Sequence, residues 1–415
     1  MPMVVPQRIL IAPSGFKESM SATQVAQAIA AGVRRVLPGA HIDAVPVPDG
    51  GEGTAEALVT ATGGTLVPAV VTGPVGDPVA AAWGRLGGAA TGTAVIEMAS
   101  AAGLRLVPAD RRDPTRTTTR GVGELIAAAL DAGARRILIG CGDSGTSDGG
   151  AGALQALGAR ILDANGDDLP AGGGALAAAD RLDLSGLHPA LAGTEIVVAC
   201  NPDNVLCGPR GVARVFAAQK GATPAQIEQL AHAYDRWATI LERDALGRDP
   251  GVSGVSGTAF AAPPGSLLDV RFGRGTGASG GLGAGLAAVL GARLEPRFTA
   301  LLDSGLAGFD LDALMAGADL AITAEGAIDS QTRMSKVPAE VARRAQRTGT
   351  PVLALAGSLR DGAESVRDIG IDSIVALPPM PMPMEYAVAH AEPLLRDAAE
   401  RALRLIVLGA AIAAR

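Results

Sequence analysis

Aromatic side chains are almost missing from this chain: two Trp, two Tyr and six Phe among 415 residues. So few rings leave no stacking platform for single-stranded nucleic acid. They also require the cores to be built from Ala, Val, Leu and Ile. Cysteine is scarcer still. Cys141, Cys200 and Cys207 form no CxxC or metal-ligand spacing, and an odd count makes a poor disulfide framework. Small buried thiols in a reduced, cytoplasmic protein are expected instead. The four histidines, His41, His188, His232 and His390, are scattered, which argues against a histidine-centred metal site or triad. No Lys/Arg-rich block is present and the net charge is -7, so nucleic acid is not the expected partner. The N-terminus lacks a signal-peptide layout. The final LRLIVLGAAIAAR is too short an apolar run to cross a bilayer, so no membrane partner is expected and a terminal docking helix is.

Lysine is the most telling shortage. Of 35 basic residues, three are lysines: Lys17 in APSGFKES, Lys220 in FAAQKGA and Lys336 in RMSKVPAE. Each stands beside a bend marked by glycine, serine or proline. A compact, rotatable ammonium differs from the planar arginine fork. Loop lysines at helix entrances commonly meet phosphates, although an exposed lysine on a solvated loop is the ordinary alternative.

What the chain has in quantity is apolar residues (48%) and glycine (56 residues). Its length points to two domains. The dominant rhythm is strand, glycine-rich loop, helix. RILIAP feeds SATQVAQAIAAGVRRVL, a strand near 42–47 feeds a helix from Thr54, and Arg136–Gly140 feeds a helix near Ala151. LAIT leads to EGAIDS, with TPVLALAG as a further strand. Such alternation predicts an α/β fold with a mostly parallel sheet. The middle has another texture. TGPVGDPVAAAWGRLGG and TAVIEMASAAGL read as β-rich, GTEIVVACN as a strand, 223–246 as an amphipathic helix, and 274–292 as a glycine run entering a helix. A domain at 76–294, inserted into one formed by 1–75 and 295–415, is expected.

In open α/β sheets, ligands meet the loops beyond the carboxyl ends of strands. Four loops qualify. Ser14–Ser19 carries Lys17, with Ser19 or Ser21 as helix cap; it is not a Walker A loop. Asp49-Gly50-Gly51-Glu52-Gly53-Thr54 places two carboxylates among glycines, suited to Mg²⁺ or to base chemistry on a hydroxyl. Gly140–Gly150 is the densest in glycine and hydroxyls and reads as a phosphate cradle, through Gly140, Gly142, Asp143, Ser144, Gly145 and Gly149. Its Asp148 suits a metal or the orientation of a nucleophile. Glu325–Ser330, which includes Asp329, is followed by Lys336. Arg120, at the entrance of the helix VGELIAAALDAG, suits a grip on a substrate carboxylate.

Taken in order, FKES, PVPDGGEGT, AVIEMASAAGL, TTTRGVGELI, SDGGAGALQALGA, QKGA, GASGGLGAGL, EGAIDSQT and KVP resemble the bacterial glycerate kinase family, of the type phosphorylating the 2-hydroxyl. The resemblance runs nearly end to end. It implies ATP as co-substrate, Mg²⁺, a Rossmann/flavodoxin-like domain interrupted by a second α/β domain with a mixed sheet, and an active site in the cleft between them. A homodimer is compatible with it. Three positions depart from the family pattern: Ser14-Gly15 where Asp-Ser is more usual, Asn201 where Asp is common, and Ala327 where Arg is frequent. The expected general base therefore falls on Asp49 or Asp148. Lys17 is expected to neutralise the transferring phosphoryl group, Lys336 to touch phosphate, and Glu52 with Asp148 to hold metal. Ser14, Arg120, Glu325 and Asp329 are expected at the substrate. The alternatives are a kinase of another small hydroxy acid, a dinucleotide-dependent oxidoreductase, or a sensor of an anionic metabolite. The oxidoreductase is disfavoured because no GxGxxG follows the first strand.

Overall fold

The computed structural model describes residues 5–16, 19–247, 268–330, 332–333 and 336–414. Two compact units are present, residues 1–49 with 307–415, and residues 50–306. The first unit opens with β1 (Arg8–Ile11) and β2 (His41–Ala44). The second contributes β3 (Thr65–Thr72), β4 (Pro78–Arg85), β5 (Thr93–Glu97), β6 (Arg136–Gly140), β7 (Arg160–Leu162), β8 (Arg181–Asp183), β9 (Glu195–Cys200) and β10 (Arg293–Pro296). The chain then returns to the first unit for β11 (Leu320–Ile328), β12 (Val352–Leu359) and β13 (Ser373–Ala376).

In the first unit the five strands lie in the order β2-β1-β11-β12-β13, all parallel. Counted within the unit this is 2-1-3-4-5, the flavodoxin order, with its switch point between β1 and β11. Ile9, Leu10, Ile11 and Leu320–Ala324 are buried without alternation, as befits strands covered on both faces. The helix Ala22–Arg34 begins with a capping box. Ser21 accepts from the Gln24 N–H, and the Gln24 side chain accepts from the Ser21 N–H, so Ser21 rather than Ser19 is the cap. That helix lies against the C-terminal helix Ala391–Ala413, and Gly32 is what lets them approach. A Cβ there would run into the Arg396 carbonyl oxygen. The apolar C-terminal stretch is thus a docked helix, burying Leu395, Ala398, Ala399, Ala402 and Leu403. Among the described residues no helix is long and apolar enough to cross a membrane.

The second unit holds a six-stranded mixed sheet, β3-β4-β5-β6-β9-β10. β3, β4 and β5 run antiparallel, while β5, β6, β9 and β10 are parallel. β7 and β8 form a separate antiparallel pair. Ile96, Ile137, Ile139 and Val198 share a core with Leu125 and Ile126 of the helix Arg120–Asp131 and with Tyr234 and Trp237 of the helix Pro224–Ile240.

Three details differ from the sequence reading. The compact units part at 49/50 and 306/307, not at 75/76 and 294/295, because β3 pairs along its whole length with β4 and a break at 75 would divide that hairpin. The segment after β5, read as β-rich, turns into a helix at Met98–Ala102. β11 does not stop at LAIT. Ala327 and Ile328 still pair with Ser358 and Leu359 of β12, so Glu325–Ile328 is strand and the loop begins at Asp329.

Candidate active site

The loop after β6 is held from several directions within the second unit. Asp148 is fully buried and accepts from four donors: the Thr119 N–H (2.7 Å), the Thr119 hydroxyl (2.9 Å), the Gly150 N–H (3.2 Å) and the Gly152 N–H (3.1 Å). Burial pushes its pKa up, and those same donors oppose the shift. Thr117 donates to the Gly145 carbonyl, so the TTTRG stretch is a strut under the loop. From the helix Pro224–Ile240, Trp237 Nε1 donates to the Gly149 carbonyl (3.0 Å) and the Tyr234 hydroxyl donates to the Gly280 carbonyl (2.8 Å).

The glycine run near 280 packs on the same loop. Gly149 N–H donates to the Gly280 carbonyl, and a Cβ on Gly280 would run into the Thr146 carbonyl. Ser279 and Asp143 are the non-glycine residues with positive φ among the described residues, at 50° and 54°. Ser279 donates to the Cys141 carbonyl (3.1 Å), so both left-handed residues shape this one loop. Backbone outliers persist where surrounding structure imposes them, and functional sites are where they gather.

Beneath the loop lies Lys220, 2% exposed. Its Nζ donates to Ser144 Oγ (3.0 Å) and to the Thr146 carbonyl (2.5 Å). Burial pushes its pKa down to about 7, with the Asp148 charge pulling the other way. The Thr146 hydroxyl is buried and finds no hydrogen-bond partner among the described residues. Gly140, Gly145 and Gly149 are buried, whereas Gly142, Asp143 and Ser144 are partly exposed, so the loop offers its first half to solvent.

The loop 49–54 backs onto this one, the Gly142 N–H donating to the Gly50 carbonyl (2.9 Å). A Cβ at Gly142 would meet the Gly51 backbone at 2.6 Å, which accounts for glycine at position 142. Asp49, half-buried, immediately precedes this contact. Glu52 is exposed and pairs with Arg105 (3.2 Å). Buried Glu97, which the sequence did not single out, accepts from the Ala55 N–H (2.6 Å) at the start of the helix Thr54–Thr62. Arg120 is exposed and its Nε donates to Glu124 (3.1 Å), which also accepts from Thr72 on β3. Burial pushes the thiol pKa values up, Cys141 to about 11 and Cys200 and Cys207 to about 12, so none is a poised nucleophile.

In the first unit the flavodoxin switch point brings Ser14 to Glu325. Ser14 Oγ donates to Glu325 Oε2 (2.9 Å) and to the Ala324 carbonyl (3.0 Å). Past the end of β11, Asp329 accepts from the Thr332 N–H (3.1 Å) and stands 3.5 Å from Lys336 Nζ, which donates to the Ala327 carbonyl (3.3 Å). Lys336 occupies the N-cap position of the helix Val337–Thr348 without capping it. Lys17 lies outside the described residues.

A metal ion fits poorly on the carboxylates picked from the sequence. The oxygens of Asp148 are taken by protein donors and Glu52 is an exposed partner of Arg105. Among the described residues no three His, Cys, Asp or Glu side chains are arranged to hold one.

One unit with an open parallel sheet, and one with a mixed sheet and a glycine- and hydroxyl-rich loop after β6, define a two-unit α/β protein. The model of the glycerate kinase family matches residues 9–407. The chain is 44% identical to the glycerate kinase of Bacillus subtilis (strain 168) over 388 residues, covering 92% of this chain and 94% of that one. It is 44% identical to the glycerate 2-kinase of Escherichia coli (strain K12), covering 89% and 90%. The crystal structure of a candidate glycerate kinase 2 from Salmonella typhimurium LT2 superposes with a TM-score of 0.75 at 42% identity, covering 97% of this chain and 99% of that one. The chain belongs to the glycerate kinase family.

Proposed function

We propose that this enzyme transfers the terminal phosphoryl group of ATP to the 2-hydroxyl of glycerate, giving 2-phosphoglycerate and ADP. The observation that carries the reading is the loop after β6. Its first half, Gly142–Ser144, is open to solvent, and its second half is fixed by Asp148, Trp237 and Lys220. Phosphoryl transfer asks a protein mainly for positioning and charge neutralisation, and a pre-formed loop of this kind supplies the first.

In the reaction the glycerate hydroxyl oxygen bonds to the γ-phosphorus while the bond to the β,γ-bridging oxygen breaks. The hydroxyl proton passes to a carboxylate, and ADP leaves with the bridging oxygen. Asp49 is our choice of base, since Asp148 has its oxygens committed to backbone and hydroxyl donors. Gly142, Asp143 and Ser144 meet the phosphates. Mg²⁺, when bound, would supply neutralisation of phosphate charge, and such an ion needs few protein carboxylates. Our substrate-binding candidates are Ser14, Glu325 and Asp329 in the first unit and, in the second, Arg120, which would exchange Glu124 for a ligand carboxylate. Lys17 neutralises the transferring group. Lys17→Ala is expected to lower turnover by about 10²–10³ with the fold intact. Unchanged turnover would remove Lys17 from the mechanism.

The reaction itself is tested by ADP release with D-glycerate, L-glycerate and four-carbon hydroxy acids, followed by phosphorus NMR of the product. Phosphate on the 3-hydroxyl, or no turnover with glycerate, would overturn the assignment.

A further inference from the structure

A wholly buried lysine needs an explanation, because an ammonium leaves water at a cost of several kcal/mol unless something compensates it. Lys220 has hydrogen bonds to a hydroxyl and a carbonyl, Ser144 Oγ and Thr146 O, and among the described residues no carboxylate stands at ion-pair distance from it. Asp148 is the ionisable group acting on it through space, and the oxygens of Asp148 are engaged by other donors. Both partners of Lys220 lie on the loop after β6, on the two sides of Gly145. Beside them sits the Thr146 hydroxyl, buried and without a hydrogen-bond partner among the described residues. The ammonium is thus incompletely compensated by the protein alone, and it touches the half of the loop that is open to solvent through Ser144.

We propose that Lys220 is a positioning residue for the nucleotide: it sets the shape of Gly142–Thr146 through Ser144 and Thr146, and it places beneath that loop a positive charge whose counter-charge is the polyphosphate of ATP. Lys220 does not touch the reacting atoms. Its charge acts through the Ser144 hydroxyl, whose oxygen accepts from Nζ and whose proton is thereby directed outward, toward a phosphate oxygen. The lysine is present at this place because a compact ammonium fits under a tight loop where a guanidinium would not. The proposal rests on the nucleotide role given above to Gly142–Ser144.

The test is a comparison of the unmodified enzyme with Lys220→Met and Lys220→Gln, measuring KM for ATP and for glycerate separately. Losing a charge-assisted hydrogen bond that orders the loop is expected to raise KM for ATP roughly 10- to 100-fold, with KM for glycerate unchanged. A purely structural lysine would lower thermal stability and active fraction while leaving both KM values alone, and that result overturns the proposal. Recovery of the ATP KM by glutamine, which keeps a donor but no charge, overturns it as well. Should neither variant fold, titration of the unmodified enzyme with ATP and Mg²⁺ at pH 8, in buffers of different ionisation heat, decides. Uptake of close to one proton per nucleotide is expected as Lys220 becomes fully charged, and no uptake refutes the idea. Failure of the function reading has a separate signature, namely no ADP release by the unmodified enzyme with any hydroxy acid.

Discussion

The loop after β6 and the end of β11 use the same residue types in opposite ways. Each combines serine, acidic and lysine side chains. In the first unit Ser14 bonds to Glu325, and Lys336 stands by Asp329, with Lys336 and Asp329 partly open to water. In the second unit the acid and the lysine are sealed in. Asp148 is given to amides and a hydroxyl, and Lys220 to a hydroxyl and a carbonyl. Acid and base neutralise each other where water screens them, and they are kept apart, each holding backbone, where it does not. The buried arrangement costs desolvation, so its return has to be a fixed loop shape. The exposed arrangement costs little and is free to exchange partners with a ligand.

The strongest way to break this contrast is Asp148→Ala. It strands three N–H groups and the Thr119 hydroxyl in a dry interior, at about 1–3 kcal/mol for each group left unsatisfied. A loss of about 4 kcal/mol or more in stability is expected, read from the urea midpoint. Asp329→Ala, which removes a partly exposed acceptor from the Thr332 N–H, is expected to cost about 1 kcal/mol. Equal losses at the two sites would erase the distinction between a buried lock and a surface arrangement.

Both regions were marked in the sequence, but not their difference. Glycine, serine and proline placed the loops at the strand ends, and apolar periodicity placed the helices Ala22–Arg34, Arg120–Asp131 and Pro224–Ile240. The family resemblance supplied the order of the motifs. What stayed hidden was contact between distant segments. Asp148 looked like a metal ligand because nothing local announced that Thr119, 29 residues earlier, would occupy it. Lys220 shows in the sequence only as a lysine beside a bend, because its partner Ser144 lies 76 residues away. Its rarity as a lysine was the available signal. The sequence places Glu325 in a loop because the partner that keeps β11 extended is in β12, and it shows Lys336 as a loop lysine but not its approach to Asp329.

A second test sharpens the burial of Lys220 through pH. Its folded pKa of about 7 lies below the unfolded value, 10.5. Between those values the unfolded chain holds a proton that the folded chain has released, so raising the pH favours the fold. Relative to Lys220→Met, the unmodified enzyme is expected to gain up to about 1.4 kcal/mol per pH unit across that window, and to lose the gain as the pH falls back to 7. Urea unfolding at pH 7, 8 and 9 measures it. A difference that stays flat with pH would mean that water reaches Lys220 and that it keeps an ordinary ammonium.

The smallest expected effect belongs to the exposed counterpart. Lys336 and Asp329 approach to 3.5 Å with side chains 29% and 20% exposed, so their coupling should be that of a screened pair. A double-mutant cycle with Lys336→Met and Asp329→Asn is expected to return about 0.2–1 kcal/mol at low salt, shrinking as the ionic strength rises. If Lys336 also meets a nucleotide phosphate, the Lys336→Met variant raises KM for ATP while leaving this weak coupling as it is. A coupling well above 1 kcal/mol, insensitive to salt, would instead make the end of β11 a second buried lock, and the contrast between the two lysines would disappear.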